Sequence, residues 1–295
     1  MASANRALLR RIRSVQNTRK ITKTMELVSA SKLRRAADRV SAARPYAEAL
    51  GEVLGDLMTA DLAERFPLLR TPASPARGGP SRAVVLLVTS NRGLAGAFNS
   101  NLIKEGRRRM LALEAEGYTV DVHAIGKKAV SFIRFMGRTM ALERIDIGDK
   151  PTAAHAAELA QPLIDAFIAG TLGRVEFIHT KYNSALSTPP TTTQVLPVVA
   201  PSAEGKRQRD YLLAPSAEAI LEELLPLYVR NAIYRGLVET AAGEHGARRT
   251  AMKSATDNAQ ELLGTLKRSY NRQRQAGITQ ELSEIVGGAA ALEGT

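Results

Sequence analysis

Apolar and small residues recur along the first part of the chain, mostly in steps of three and four: Leu8, Ile12, Val15, Thr22, Met25, Ser29, Leu33, Ala36, Val40 and Ala43. That spacing marks one face of a helix and predicts a single long helix over residues 3–58. Ser3 or Asn5 is suited to cap its start. The stripe lapses around Arg19, and many of its positions are small or polar. A helix in a globular core would carry more Leu and Ile there. Pro45 is expected to kink or interrupt the helix, because it lacks the backbone N–H.

Residues 67–82, PLLRTPASPARGGPSR, read as a Pro/Gly/Ser-rich linker. The pattern then changes period. RAVVLLVTS (82–90) is a continuous apolar run, as in a strand buried on both faces. YTVDVHAIG (118–126) alternates and ends in Gly, GRVEFIHTKY (173–182) reads as a third strand, and TTTQVLPVV (191–199) as a fourth. Pro197 points to a sheet edge for the last. Helical segments are expected between them at about 98–116, 127–136 and 152–170. Strands alternating with helices predict an α/β sheet.

From Ser216 the helical pattern returns and lasts to about residue 290. Met252, Ala255, Ala259, Leu262 and Leu266 step by three and four, as do Ile278, Leu282, Ile285 and Ala289. This is coiled-coil spacing. Some 70 helical residues would reach about 100 Å, too far for a compact domain. The apolar stripe therefore needs a partner, and the first helix, running antiparallel, is the natural one. Pro226 is expected to bend the helix, and Gly243 and Gly246 to weaken its middle. The organisation is thus a first helical region (1–66), a linker (67–82), a central α/β domain (83–214) and a last helical region (215–295).

Composition sharpens the picture. The net charge of +12 directs the chain toward acidic partners: nucleic acid, anionic lipid or an acidic protein face. The absence of cysteine excludes disulfides, thiolate metal sites and cysteine nucleophiles. No apolar run approaches the roughly 18 residues of a membrane span. The Arg-rich, acid-poor start has the composition of a transit peptide. The helical pattern runs straight through it, so it is expected to belong to the mature fold. The last residues, VGGAAAL (286–292), are small and apolar where a chain end is normally polar.

Little in the sequence suggests chemistry. SNRGLAGAFNSN (90–101) follows a strand and precedes a helix, where Gly-rich loops hold phosphate. It matches neither phosphate-binding fingerprint, and a tight structural turn is the favoured reading. His123, His155, His179 and His245 show no metal-ligand spacing, and no nucleophile has an adjacent base. No cofactor is expected. The first helix is densely basic, which would suit phosphate binding. It lacks interleaved aromatics for base stacking, so a solvated or protein-facing basic face is favoured. A basic coiled-coil nucleic-acid binder stays open as the alternative.

Three stretches carry a family resemblance: RIRSVQNTRKITKTMELVSASKLRRA (11–36), TSNRGLAGAFNSN (89–101), and AMKSATDNAQEL with YNRQRQAGITQELSEIVGGAAAL (251–262 and 270–292). They resemble the gamma subunit of F-type ATP synthase over nearly the whole chain. The resemblance implies an antiparallel coiled coil of the terminal helices and a central Rossmann-like α/β/α domain with a mixed sheet. It implies a non-catalytic shaft inside a ring of three alpha and three beta subunits. The central domain would meet the epsilon subunit and the membrane c-ring. Carried over by position, Arg274, Gln275, Thr279 and Glu284 match the family's contact with a beta-subunit catch loop, with Met25 facing it from the first helix. Lys20, Lys23, Lys32, Arg34 and Arg35 form a basic shaft face toward acidic beta-subunit levers, and Tyr211 lies in the segment meeting the rotor ring and epsilon. The apolar tip would turn within a sleeve of partner subunits. The family often has Asp where this chain has Asn91, and Gly where it has Ala97. Without a transit peptide, a bacterial protein on the cytoplasmic face of the inner membrane is expected, held there through the complex.

Overall fold

The computed structural model describes residues 2–57, 64–199 and 216–293, with side chains over 5–57, 64–199 and 216–289. The chain divides into two compact units, residues 1–28 with 249–295, and residues 29–248. Helices α1 (Ala2–Leu57) and α5 (Ala217–Glu293) contribute to both.

The larger unit is built on a five-stranded sheet. Its strands are β1 (Arg82–Val88), β2 (Thr119–Ile125), β3 (Leu142–Arg144), β4 (Arg174–Thr180) and β5 (Pro190–Leu196), in the order β3-β2-β1-β4-β5. All neighbours are parallel except β4 and β5. The central strand explains the layers. Side chains alternate across a strand, so Val84, Leu86 and Val88 face one side of the sheet and Ala83, Val85 and Leu87 the other. Both sides are covered, which is why β1 reads as an unbroken apolar run. On the first side lie α4 (Ala153–Ile168), Leu54 and Leu57 of α1, and Leu221 to Leu237 of α5. On the second lie α2 (Phe98–Ala115) and α3 (Lys127–Phe135). Each buried Leu, Ile or Phe stabilises this arrangement by about 1.5–3 kcal/mol. The terminal helices also pair within this unit, Ala36 and Val40 packing on Val238 and Ala242.

The sheet is mixed and sandwiched, as expected, and β5 with its half-buried Thr and Gln residues is an edge strand. Strand β3 was not foreseen. Its three residues, Leu-Glu-Arg, are too few to show a period, and none is fully buried. Residues 67–82 are not slack throughout, because Leu68 and Leu69 are buried in the sheet's core.

Neither Pro45 nor Pro226 interrupts its helix, and α4 likewise runs through Pro162. Proline frees the carbonyl four residues earlier. Those carbonyls belong to Ser41, Glu222 and Glu158, all exposed, so water can satisfy them. The expected caps Ser3 and Asn5 fall inside α1, which begins at Ala2, the best helix-forming residue type.

Candidate functional site

In the smaller unit the two terminal helices pair antiparallel. Leu8, Ile12 and Val15 meet Leu263, Leu266 and Tyr270. Further along, Arg19 donates to the Gln260 side-chain oxygen at 2.6 Å, and the Thr22 and Thr256 hydroxyls lie 2.8 Å apart. The apolar stripe lapses at Arg19 because polar pairs bridge the helices there. The phase of the α5 stripe differs from expectation at one place. Leu263 is buried and Leu262 is 40% exposed, because the partner helix meets the neighbouring face.

Among the described side chains, the last apolar contact with α1 falls at Tyr270. Beyond it α5 is exposed on nearly every side through Ala289, with only Gln273 and Gly277 half-buried. Ile278, Leu282, Ile285 and Val286 all lie open, Ile285 at 68%. Exposed apolar residues grouped on one helix end mark an interaction surface.

Arg274, Gln275, Thr279 and Glu284 sit on this bare segment, all exposed. The Thr279 hydroxyl donates to the Gln275 carbonyl at 3.0 Å, and Gln280 braces Glu284 at 3.0 Å. Both contacts run along the helix and leave the outward surface free. Met25 is half-buried elsewhere. Thr22, one turn from it, is bonded to Thr256, which is 18 residues before Arg274 (274 − 256), or about 27 Å along a helix. The five positions therefore form two separate groups. Lys20 and Lys23 are exposed, Lys23 pairing with Glu26 at 3.1 Å. Beside them Ile21, Leu27 and Val28 are exposed apolar residues that the reading of the sequence passed over. Their signal was available: strong hydrophobes lying off the buried stripe.

Lys32, Arg34 and Arg35 belong to the larger unit. Arg34 and Arg35 are exposed, whereas Lys32 is bonded to Asp149 at 2.6 Å. That bond holds the Asp149 carboxyl below its ordinary range. Tyr211 lies outside the described residues.

The turn at 90–97 uses its polar groups on the fold. Asn99 accepts from the Ser90 N–H at 3.0 Å. Asn91 accepts from the Lys127 N–H and donates to the Ile145 carbonyl, each at 2.9 Å. An aspartate could not make the second of these bonds. Of the histidines, His155 completes a capping box with Thr152. His179 stacks on Phe177 and bonds Thr193 at 2.9 Å. Burial lowers the affinity of His123, His179 and His245 for a proton. Among the described residues no group of three or more acidic or imidazole side chains is placed to hold a metal, and no helix is long and apolar enough to cross a membrane.

Three features define a class: terminal helices that pair antiparallel, a mixed α/β unit, and exposed apolar residues near the end of α5. The family model described as ATP synthase matches residues 4–292. The ATP synthase gamma chain of Gemmatimonas aurantiaca is 61% identical, over 96% of this chain and 97% of its own length. That of Moorella thermoacetica is 44% identical, over 98% and 99%. Among solved structures, a chain of the Euglena gracilis mitochondrial ATP synthase (OSCP/F1/c-ring, rotational state 3) matches with a TM-score of 0.67 and 19% identity, covering 99% of this chain and 95% of its own. A chain of the Tetrahymena thermophila mitochondrial central stalk/c-ring matches with a TM-score of 0.58 and 20% identity, over 80% and 99%. At such identities the structures bear on the fold alone. The chain belongs to the ATP synthase gamma-chain family. These relatives give no support to the nucleic-acid alternative.

Proposed function

We propose that the chain is the central rotor shaft, the gamma subunit, of a proton-translocating F-type ATP synthase, and that it does no chemistry itself. Proton flow through the membrane rotor turns the shaft inside a ring of three alpha and three beta subunits. The asymmetric helix pair then drives the beta sites through different conformations, so that ATP is formed and released. Residues 1–66 and 215–295 supply the shaft helices. Residues 83–214, joined through 67–82, supply the domain that meets the epsilon subunit and the c-ring, with Tyr211 in the contacting segment. The complex holds the chain on the cytoplasmic face of a bacterial inner membrane.

The observation that carries this reading is the bare end of α5 in a chain 61% identical to a gamma chain over nearly its full length. Such an apolar surface is stable in the cell only when enclosed. The beta-subunit contacts fall into two groups. One lies at Arg274, Gln275, Thr279 and Glu284. The other lies at Met25 with Lys20 and Lys23, where charge attracts acidic levers at a reach that changes with angle. Arg34 and Arg35, on the larger unit, supply a further basic surface.

Reconstitution with purified alpha and beta subunits tests the reading. The parent chain is expected to give a discrete assembly with sharply raised ATP hydrolysis. Arg274→Ala combined with Gln275→Ala is expected to leave the unfolding midpoint of the free chain unchanged, since both side chains are exposed. The same double variant is expected to lower coupled turnover at least severalfold. Normal turnover in it would remove these residues from the contact. Failure of the parent chain to assemble with competent subunits would remove the shaft reading.

A further inference from the structure

In open α/β sheets, ligands bind beyond the carboxyl ends of the strands, where the strand order reverses. Here β1 lies between β2 and β4, so the reversal falls at β1. The larger unit's own helices occupy that edge. Three loops leave the carboxyl ends of parallel strands, and each touches the helix pair. From the turn after β1, the Gly93 carbonyl accepts two bonds from Arg248 of α5, at 3.2 and 3.3 Å. From the loop after β3, Asp149 accepts from Lys32 of α1 at 2.6 Å and lies 3.5 Å from His245 of α5. From the loop after β4, the Ala185 carbonyl reaches the Gly246 position, where a Cβ would stand 3.2 Å away, with Leu33 of α1 at 3.8 Å.

The charges are organised around this contact. Arg248 bonds Glu244 at 2.6 Å and faces the His245 Nδ1 at 3.4 Å, with all three side chains nearly buried. Arginine can only donate, so Nδ1 is the acceptor and the neutral ring carries its proton on Nε2, toward Asp149. The loop bearing Asp149 is itself held: Ile147 is buried, and Ile145 is tied to Asn91 at 2.9 Å. Lys32 lies three residues inside the α1 limit of this unit, and Arg248 is its last residue on α5.

We propose that these three loops form a collar that locks the helix pair to the sheet, with Asp149 as its ionic key, and that torque passes between the α/β unit and the helices there. The proposal rests on the rotor reading above. The hydrophobic attraction that packs the helices on the sheet is non-directional. Charge-assisted hydrogen bonds have fixed geometry and resist a tangential load. The collar supplies such bonds from all three loops: Asp149 to Lys32 of α1, the Gly93 carbonyl to Arg248 of α5, and the Tyr182 N–H to the Glu239 carboxylate of α5 at 3.1 Å.

The test uses the full complex in sealed vesicles and measures protons pumped per ATP hydrolysed against a standing gradient. Asp149→Asn is expected to assemble and to hydrolyse ATP without a gradient within twofold of the parent. Its pumping ratio is expected to fall at least twofold, and Asp149→Glu, which restores the carboxylate, to recover at least half of the loss. Lys32→Gln removes the other half of the same bond and is expected to lower the ratio likewise, which keeps the test decisive if Asp149→Asn does not assemble. An unchanged ratio in either assembled variant would overturn the collar while leaving the rotor reading intact. A parent complex that neither hydrolyses nor pumps would overturn both.

Discussion

Glu176 on β4 is 2% exposed and bonds the Arg109 guanidinium through both oxygens, with Arg174 at 3.5 Å. A buried carboxylate is tolerable only with such partners, and removing it takes from Arg109, which is 19% exposed, its hydrogen-bonded partner. Glu176→Ala is expected to destabilise the chain by about 1.5–3 kcal/mol, read as a drop in urea midpoint. A loss under about 1 kcal/mol would contradict the ion pair's assigned weight. His245 sets a pH dependence. Burial first, and then Arg248, push it down to about 4, while Asp149 opposes the shift and Lys32 adds to it. The unfolded imidazole titrates near 6.5. Between those values the unfolded chain binds more protons, so stability rises with pH. It is complete above about 6.5 and is lost as the pH falls toward 4. His123 and His179 act in the same direction, so the comparison must be with the parent. His245→Gln is expected to flatten the slope of unfolding free energy between pH 4 and 6.5. An unchanged slope would contradict the assignment.

Helix α5 meets β4 more closely than side chains normally permit. A Cβ at Gly236 would stand 2.2 Å from the Phe177 ring, and one at Gly243 would stand 2.7 Å from the Thr180 hydroxyl. In sequence Gly243 looks like a weak point of the helix, but in the fold both glycines are its points of contact. Gly236→Ala gains about 1 kcal/mol of helix propensity but overpacks a fully buried ring. A net loss of about 1–3 kcal/mol is expected by chemical denaturation, and a stabilised variant would contradict the close approach. Most elements were legible for a simple reason. A strand buried on both faces leaves a continuous apolar run, and a long helix leaves a 3.6-residue period. Strand β3 was too short for either signal. The choice between Leu262 and Leu263 depended on the partner helix, which spacing alone does not fix. The polar pairs Arg19–Gln260 and Thr22–Thr256 likewise become visible only when both helices are aligned.

At the scale of the whole molecule, the terminal motifs identified the family, while the contact surface was legible only as a set of positions. Its residues are exposed on a helix and act on other chains, so no local pattern groups them. The structure separates Met25 from Arg274 because an antiparallel pair places residues from opposite chain ends at heights that only the register sets. Lys32 shows the converse: a residue read as part of an outward basic face is bonded to Asp149 within its own unit. The central claim of the proposed function is that this chain turns while the ring of alpha and beta subunits stands still. The chain has no cysteine, so a single Phe135→Cys, 87% exposed at the end of α3, gives one site for a fluorescent bead. With alpha and beta subunits fixed to a surface and ATP supplied, the bead is expected to rotate in one direction at a rate that follows hydrolysis. Full hydrolysis with a stationary or randomly turning bead would contradict the account.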